Sequence, residues 1–198
     1  MNKQEVIDHA LTFKYGGMLP SELGLLYDVS IGKQSVLELG SMVGMSSYVI
    51  ASVAEHLVCV DVWSDNQDHL DHDPRQKEVY ALYIDELPNM FDAFNTNCAK
   101  EICLGKITPI RLNTQDAVYL FPDKRFDMIL IDADHSYEGV KRDYVAYKSK
   151  LKDGGILVFH DFNDSMWDGI AQACNEAVNK GEIKMIKLIE RLAVFTRL

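Results

Sequence analysis

Short apolar runs separated by amphipathic stretches set the rhythm of this chain. Val36-Leu37-Glu38-Leu39, Leu57-Val58-Cys59-Val60, Thr108-Pro109-Ile110-Arg111, Met128-Ile129-Leu130-Ile131 and Ile156-Leu157-Val158-Phe159 each read as a strand. Mostly continuous apolar runs of this length suit strands covered on both faces, as in parallel sheets. Between the last two runs, Val140, Tyr144, Tyr147 and Leu151 share one face of a helix, with Ser136 as its cap and Gly154-Gly155 as its stop. Strand, helix and strand in that order make a right-handed crossover. The tail breaks this pattern. Lys184 to Ile189 and Leu192 to Thr196 are separated only by Glu190-Arg191, too short a link for a parallel crossover, so they predict an antiparallel hairpin.

These elements predict an α/β fold: a Rossmann-like, mostly parallel seven-stranded sheet with helices on both faces and an antiparallel C-terminal hairpin. At 198 residues the chain fits one domain. One connection is too long for a simple crossover, and its excess lies between about 62 and 104, beginning with the acidic, turn-rich run Ser64 to Pro74. Ligands bind beyond the carboxyl ends of strands in open α/β sheets, and this segment leaves from one such end, so it is expected to form an inserted lid. Within it, Asp68-His69-Leu70-Asp71-His72-Asp73 lacks the rigid spacing of a metal site and reads as a solvated loop.

Composition narrows the partners. The net charge of −10 repels phosphate backbones, so no nucleic-acid partner is expected. Lys148 to Lys152, the densest basic cluster, is explained by the end of the predicted helix. Cys59, Cys98, Cys103 and Cys174 show no C-x-x-C spacing, and no signal peptide or apolar run of membrane-spanning length is visible, which points to a cytoplasmic protein with no membrane partner. The amphipathic segment Val6 to Leu11 is a candidate for pairing in a homodimer.

The strongest local feature is Glu38-Leu39-Gly40-Ser41-Met42-Val43-Gly44-Met45-Ser46, which follows a strand and opens a helix. Gly40 permits close backbone approach to a ligand, Gly44 permits tight entry into the helix, and the helix start offers N–H groups to a carboxylate. The spacing is G-x-x-x-G and lacks the third glycine of a pyrophosphate-binding loop, which disfavours the rival reading of a nicotinamide-dependent reductase. Asp61 ends the next strand, where an acidic side chain reaches the ribose hydroxyls of an adenosine moiety. Loop and carboxylate together predict an adenosine-bearing cofactor without a pyrophosphate.

Four segments carry a family resemblance: Val36 to Gly44, Val60-Asp61-Val62-Trp63, Ile131-Asp132-Ala133-Asp134-His135-Ser136-Tyr137-Glu138, and Leu151 to Asp161 with its G-G-x-x-x-x-H-D element. From Val36 to about Asp164 the chain resembles class I S-adenosylmethionine-dependent methyltransferases of the macrocin O-methyltransferase-like and cephalosporin-hydroxylase-like branch. The resemblance implies that Glu38, Gly40, Ser41 and Gly44 line the methionine side of S-adenosylmethionine and that Asp61 holds the ribose. It also implies that Val62 and Trp63 flank the adenine, that Thr114-Gln115-Asp116 touch its ring, and that Asp132 lies below the sulfonium.

Asp132, Asp134 and His135 follow one strand and His160 and Asp161 another, so all five are expected in one crevice. A hydroxyl acceptor needs a base, and His135 or His160, oriented by Asp161, is the candidate. This predicts O-methylation of a small molecule. Metal-dependent relatives such as catechol-type O-methyltransferases place an Asp at each of these strand ends, followed at the second by Asn. Asp132 and Asp161 are therefore candidate ligands for Mg²⁺ or Ca²⁺, although Phe162 occupies the third position and only Asn163 or Asp164 stands nearby. A non-catalytic cofactor-binding protein is the remaining alternative, and the intact polar crevice argues against it.

Overall fold

The computed structural model describes residues 1–63 and 89–198. Five parallel strands, β1 (Val36–Leu39), β2 (Leu57–Asp61), β3 (Ile107–Arg111), β4 (Phe126–Ile131) and β5 (Leu151–Phe159), are joined by the hairpin β6 (Ile183–Ile189) and β7 (Leu192–Arg197). The sheet order is β3-β2-β1-β4-β5-β7-β6, with β7 antiparallel to both of its neighbours. The order reverses between β1 and β4, so their carboxyl ends open a crevice there.

Alternate residues of each strand feed two cores, which is why the runs are continuously apolar. Val36, Leu57, Cys59, Met128, Leu130 and Val158 pack on one face with helices α1 (Lys3–Ala10), α2 (Pro20–Ser30) and α3 (Met45–Val53). Leu37, Val58, Ile129, Leu157 and Phe159 pack on the other. The helices α4 (Met90–Asn97) and α5 (Ala99–Cys103) join the first core on the way into β3. The helices α6 (Thr114–Ala117), α7 (Tyr137–Tyr147) and α8 (Asp168–Asn179) cover the second face.

Ser136 caps α7 as its sequence predicts, accepting from the Gly139 amide at 3.0 Å. The glycine stop does not hold. The helix ends at Tyr147, β5 already begins at Leu151, and Gly154-Gly155 lie inside a register shift in which Phe126 pairs with Leu151 but Met128 with Ile156. Gly154, at φ +69°, supplies the left-handed turn that this bulge needs. The apolar face of α1 is also accounted for within the chain, since Val6, Ile7 and Ala10 are buried in the first core. Of the segment expected as a lid, 64–88, including the run from Ser64 to Pro74 and its Asp68 to Asp73 portion, lies outside the described residues. Its remainder contributes α4 and α5 to the crossover. No helix among the described residues is long and apolar enough to cross a membrane.

Candidate active site

The crevice has two walls, and the first is made chiefly of backbone. Gly40 (φ +83°) presses against the end of β4 so closely that a Cβ would lie 2.1 Å from the Asp132 carbonyl oxygen. Gly44 (φ +87°) begins α3 without a side-chain cap, and a Cβ there would meet Cys98 Sγ at 2.6 Å. Neither position tolerates a side chain. Asp61 ties the loop down: it accepts from the Ser41 and Met42 amides at 2.8 and 2.9 Å and from the Trp63 amide at 2.8 Å. Met42 (φ +45°) and Trp63 (φ +40°) hold left-handed backbone at these strand ends, strain of a kind that concentrates at functional sites.

Several side chains expected to face the cofactor instead support the loop from beneath. Glu38 is fully buried and accepts from Ser41 Oγ at 2.7 Å, from Ser47 Oγ and from Cys59 Sγ, while its Oε1 has no partner. Burial pushes its carboxyl up, the serine hydroxyls offsetting only part of that. Trp63, expected beside the adenine, is fully buried against Phe91 and Phe94 and donates from Nε1 to the Met42 carbonyl at 2.7 Å. The Val62 carbonyl accepts from Arg111 Nε at 3.2 Å. Thr114 gives its hydroxyl to Asp143 at 2.6 Å, whereas Gln115 is exposed and Asp116 turns back to the Asn113 side chain that caps α6. A strand-end aromatic or hydroxyl looks the same in sequence whether it faces a ligand or packs below one.

The second wall is made of side chains. Four of the five expected groups converge. His135 Nε2 lies 3.2 Å from Asp132 Oδ1 and 3.3 Å from Asp161 Oδ2. His160 Nδ1 lies 3.4 and 3.3 Å from the same two oxygens. Asp134 leaves the group and turns toward the start of α7, accepting from the amide of its cap residue Ser136 at 2.9 Å and lying 3.3 Å from Arg142. The His135 ring stacks on Trp167, with centroids 5.1 Å apart.

Two residues that the sequence did not single out complete this wall. Glu22, fully buried near the start of α2, accepts from the Leu19 amide at 2.7 Å and the Arg191 amide at 2.9 Å, and meets His160 Nε2 at 3.3 Å. Arg191, in the hairpin turn, donates to Asp161 Oδ1 at 2.9 Å, Asp164 Oδ2 at 3.3 Å and the Gly17 carbonyl at 2.9 Å. Proline at the first helical position and glutamate at the third mark Leu19 to Glu22 as a helix start, and that was the only local signal for Glu22.

Electrostatics binds the cluster together. Burial alone would raise Asp132, yet the charges of His160 and His135 hold its carboxyl well below the usual carboxylate range. Burial opposes charge on His160, but Asp132, Asp161 and Glu22 raise it well above an ordinary imidazole. His135 is raised in the same way by Asp132 and Asp161 against its burial. Burial would also raise Glu22, but His160 and the two amides bring it below its ordinary value. His160 is therefore not placed as an acceptor-facing base: it is 4% exposed and both ring nitrogens face carboxylates. His135 turns Nε2 inward to the same carboxylates.

Fold and crevice together define a Rossmann-like methyltransferase. The sequence profile of a family described as "Methyltransferase domain" matches residues 37–162, and the chain belongs to that family. No match to a curated protein is found by sequence. Among solved structures, a candidate caffeoyl-CoA O-methyltransferase from Staphylococcus aureus superposes with a TM-score of 0.69 at 16% identity, covering 100% of this chain and 93% of that one. An O-methyltransferase from Bacillus cereus in complex with SAH gives 0.66 at 12% identity, covering 100% and 92%. The N-methyltransferase NodS from Bradyrhizobium japonicum gives 0.57 at 16%, covering 89% and 93%. O- and N-methyltransferases both share the fold, so the acceptor must be argued from the site.

Proposed function

We propose that this protein transfers a methyl group from S-adenosylmethionine to a hydroxyl of a small-molecule acceptor. One observation carries the reading: the close approach of Gly40 to the Asp132 carbonyl sets the cofactor loop directly beside the ionic cluster. The residues fit the cofactor. Left-handed Gly40 and Gly44 leave a cradle that any Cβ would fill, and the uncapped start of α3 suits a carboxylate. Asp61 has about four acceptor sites, of which three are used by amides, so it retains room for a ribose hydroxyl. When bound, S-adenosylmethionine supplies the electrophilic methyl group. The protein's part is to hold the acceptor oxygen in line with it, chiefly an orientation effect, while the acceptor's proton passes to a carboxylate of the cluster or to solvent.

The cluster suits a hydroxyl. Asp132 and Asp161 are anionic and poised to hold cationic partners, and they also fit a divalent ion such as Mg²⁺ or Ca²⁺, for which Asp132, His135 and Asp161 offer atoms within 4.8 Å of one another. Such an ion would lower the pKa of a hydroxyl brought to it. The net charge of −10 favours a small acceptor over a polyanion.

The test is an assay with methyl-labelled S-adenosylmethionine against matched phenols, sugar alcohols and amines. Label is expected in the hydroxyl compounds, with cofactor binding by calorimetry lost in Asp61→Ala. Label found only in amines, or none at all despite tight cofactor binding, would overturn the proposal.

A further inference from the structure

One peptide unit at the end of β2 is gripped from both sides. Its amide, that of Trp63, donates to Asp61 Oδ1 at 2.8 Å, and its carbonyl, that of Val62, accepts from Arg111 Nε at 3.2 Å. A trans peptide is planar, so its N–H and C=O point in opposite directions and turn as one body. Whatever fixes the Val62 carbonyl therefore fixes the direction in which the Trp63 amide meets Asp61. Arg111 reaches this peptide because it stands opposite Asp61 in the parallel pairing of β2 and β3.

The grip extends one residue further. Arg111 Nη2 donates to the Trp63 carbonyl at 2.6 Å, so one edge of the guanidinium holds two successive carbonyls. Such a fork needs two N–H groups fixed side by side in one plane, which arginine has and lysine lacks. It spans Trp63 at φ +40°, a conformation that a non-glycine residue keeps only when its surroundings enforce it. The same guanidinium lies over the Phe91 ring, 5.4 Å from its centroid, and that ring meets Trp63 at 4.9 Å. Trp63 Nε1 donates to the Met42 carbonyl, and the Met42 amide returns to Asp61 Oδ2. The circuit closes on the carboxylate where it began.

Asp61 divides its oxygens unequally. Oδ2 accepts two amides, from Ser41 and Met42, whereas Oδ1 accepts only that of Trp63. With about two acceptor sites on each oxygen, the one left for a ribose hydroxyl is on Oδ1, the oxygen that the Trp63 amide orients. We infer that Arg111 is a positioning residue for the cofactor's ribose, acting through the Val62–Trp63 peptide on Asp61 Oδ1. This rests on the cofactor reading above and is independent of the acceptor. Arg111 is exposed, so its replacement leaves the core intact.

The experiment compares the full wild-type chain with Arg111→Met and Arg111→Lys. Each is titrated calorimetrically with S-adenosylhomocysteine and, by displacement, with its 2′,3′-dideoxyribose analogue. Arg111→Met is expected to bind S-adenosylhomocysteine about 10-fold more weakly, the scale of one hydrogen bond to a charged group. Its affinity for the analogue, which offers Asp61 no hydroxyl, should match that of the wild type. Damage to the fold alone would weaken both ligands alike. Arg111→Lys keeps the charge without the fork, and a loss of about threefold is expected, again for the hydroxyl-bearing ligand alone. Wild-type affinity for S-adenosylhomocysteine in Arg111→Met would overturn the inference. So would equal weakening of both ligands, or full recovery in Arg111→Lys, since a point charge would then suffice. A wild-type chain that binds no S-adenosylhomocysteine strikes the cofactor reading itself and this inference with it. Methyl transfer to an acceptor other than a hydroxyl strikes only the proposed acceptor and leaves the role of Arg111 standing.

Discussion

At the ends of β1 and β2 the crevice is shaped by main chain, whereas at the ends of β4 and β5 it is shaped by charged side chains. On the first wall, Gly40 and Gly44 adopt conformations closed to other residues, and Asp61 spends three of its acceptor sites on amides. On the second, groups from α2, β4, β5 and the hairpin meet in one cluster. The difference teaches how the two jobs separate. Under the proposed function, a cofactor shared by many enzymes would meet backbone geometry, which cannot vary much, while the acceptor would meet side chains that can be exchanged without rebuilding the sheet.

The comparison breaks most sharply at Gly40. Gly40→Ala forces a Cβ to within 2.1 Å of the Asp132 carbonyl at φ +83°. The left-handed conformation costs about 1–2 kcal/mol and the overlap about 1–3 kcal/mol more. A stability loss of about 2–5 kcal/mol and at least a 100-fold loss of S-adenosylmethionine affinity are expected, read by thermal melting and calorimetry. A variant that keeps wild-type affinity would show that the first wall is not built by backbone approach.

Asp61→Asn comes next. It keeps the shape but turns an amide NH₂ toward backbone donors, at least one of which loses its acceptor. One buried unpaired donor costs about 1–3 kcal/mol. Denaturant unfolding should show a loss in that range, together with at least 10-fold weaker cofactor binding. The second wall should respond in the opposite sense. Arg191→Leu removes the contact with Asp161 Oδ1, but Arg191 is 28% exposed, so solvent screening limits the stability loss to about 1–2 kcal/mol. Methyl transfer is expected to fall at least 10-fold with cofactor affinity unchanged within twofold. Parallel losses of both would mean that the walls are not separable.

The first wall was legible in sequence because its signals are local. Strand, G-x-x-x-G, helix and the acidic residue that ends the next strand all fall within Val36 to Asp61. The hairpin was legible for the same reason, since a two-residue link permits little else. The second wall was read only in part. Asp132, His135, His160 and Asp161 each end or follow a strand that the pattern located, so their convergence follows from topology. Glu22 lies 138 residues from His160, and no periodicity links a helix start to a distant strand end. Arg191 looked like a hairpin turn residue and nothing more. Asp134 lies two residues from Asp132 and was grouped with it, but the amide of Ser136, the cap residue of α7, competes for its carboxylate and wins.

The smallest expected effect belongs to neither wall, and it has the opposite sign. Asp143 is almost fully buried under α6, with Oδ1 accepting from Thr114 and Oδ2 without a partner. Burial pushes its carboxyl up to about 6, with the Thr114 hydroxyl and Arg142 only partly offsetting that. The folded state therefore keeps a proton that the unfolded state releases near pH 4. Stability falls as pH rises from about 4 through about 6, and the cost, at most about 3 kcal/mol, is fully present above that. Asp143→Asn removes the charge but leaves amide hydrogens buried, which returns about 1–2 kcal/mol of that gain. A net stabilisation of about 1 kcal/mol is expected at pH 8 and none at pH 4, measured by denaturant unfolding at both. Since Asn keeps an oxygen for Thr114, cofactor affinity should hold within twofold. Equal shifts at the two pH values would place the effect in packing and not in the buried charge.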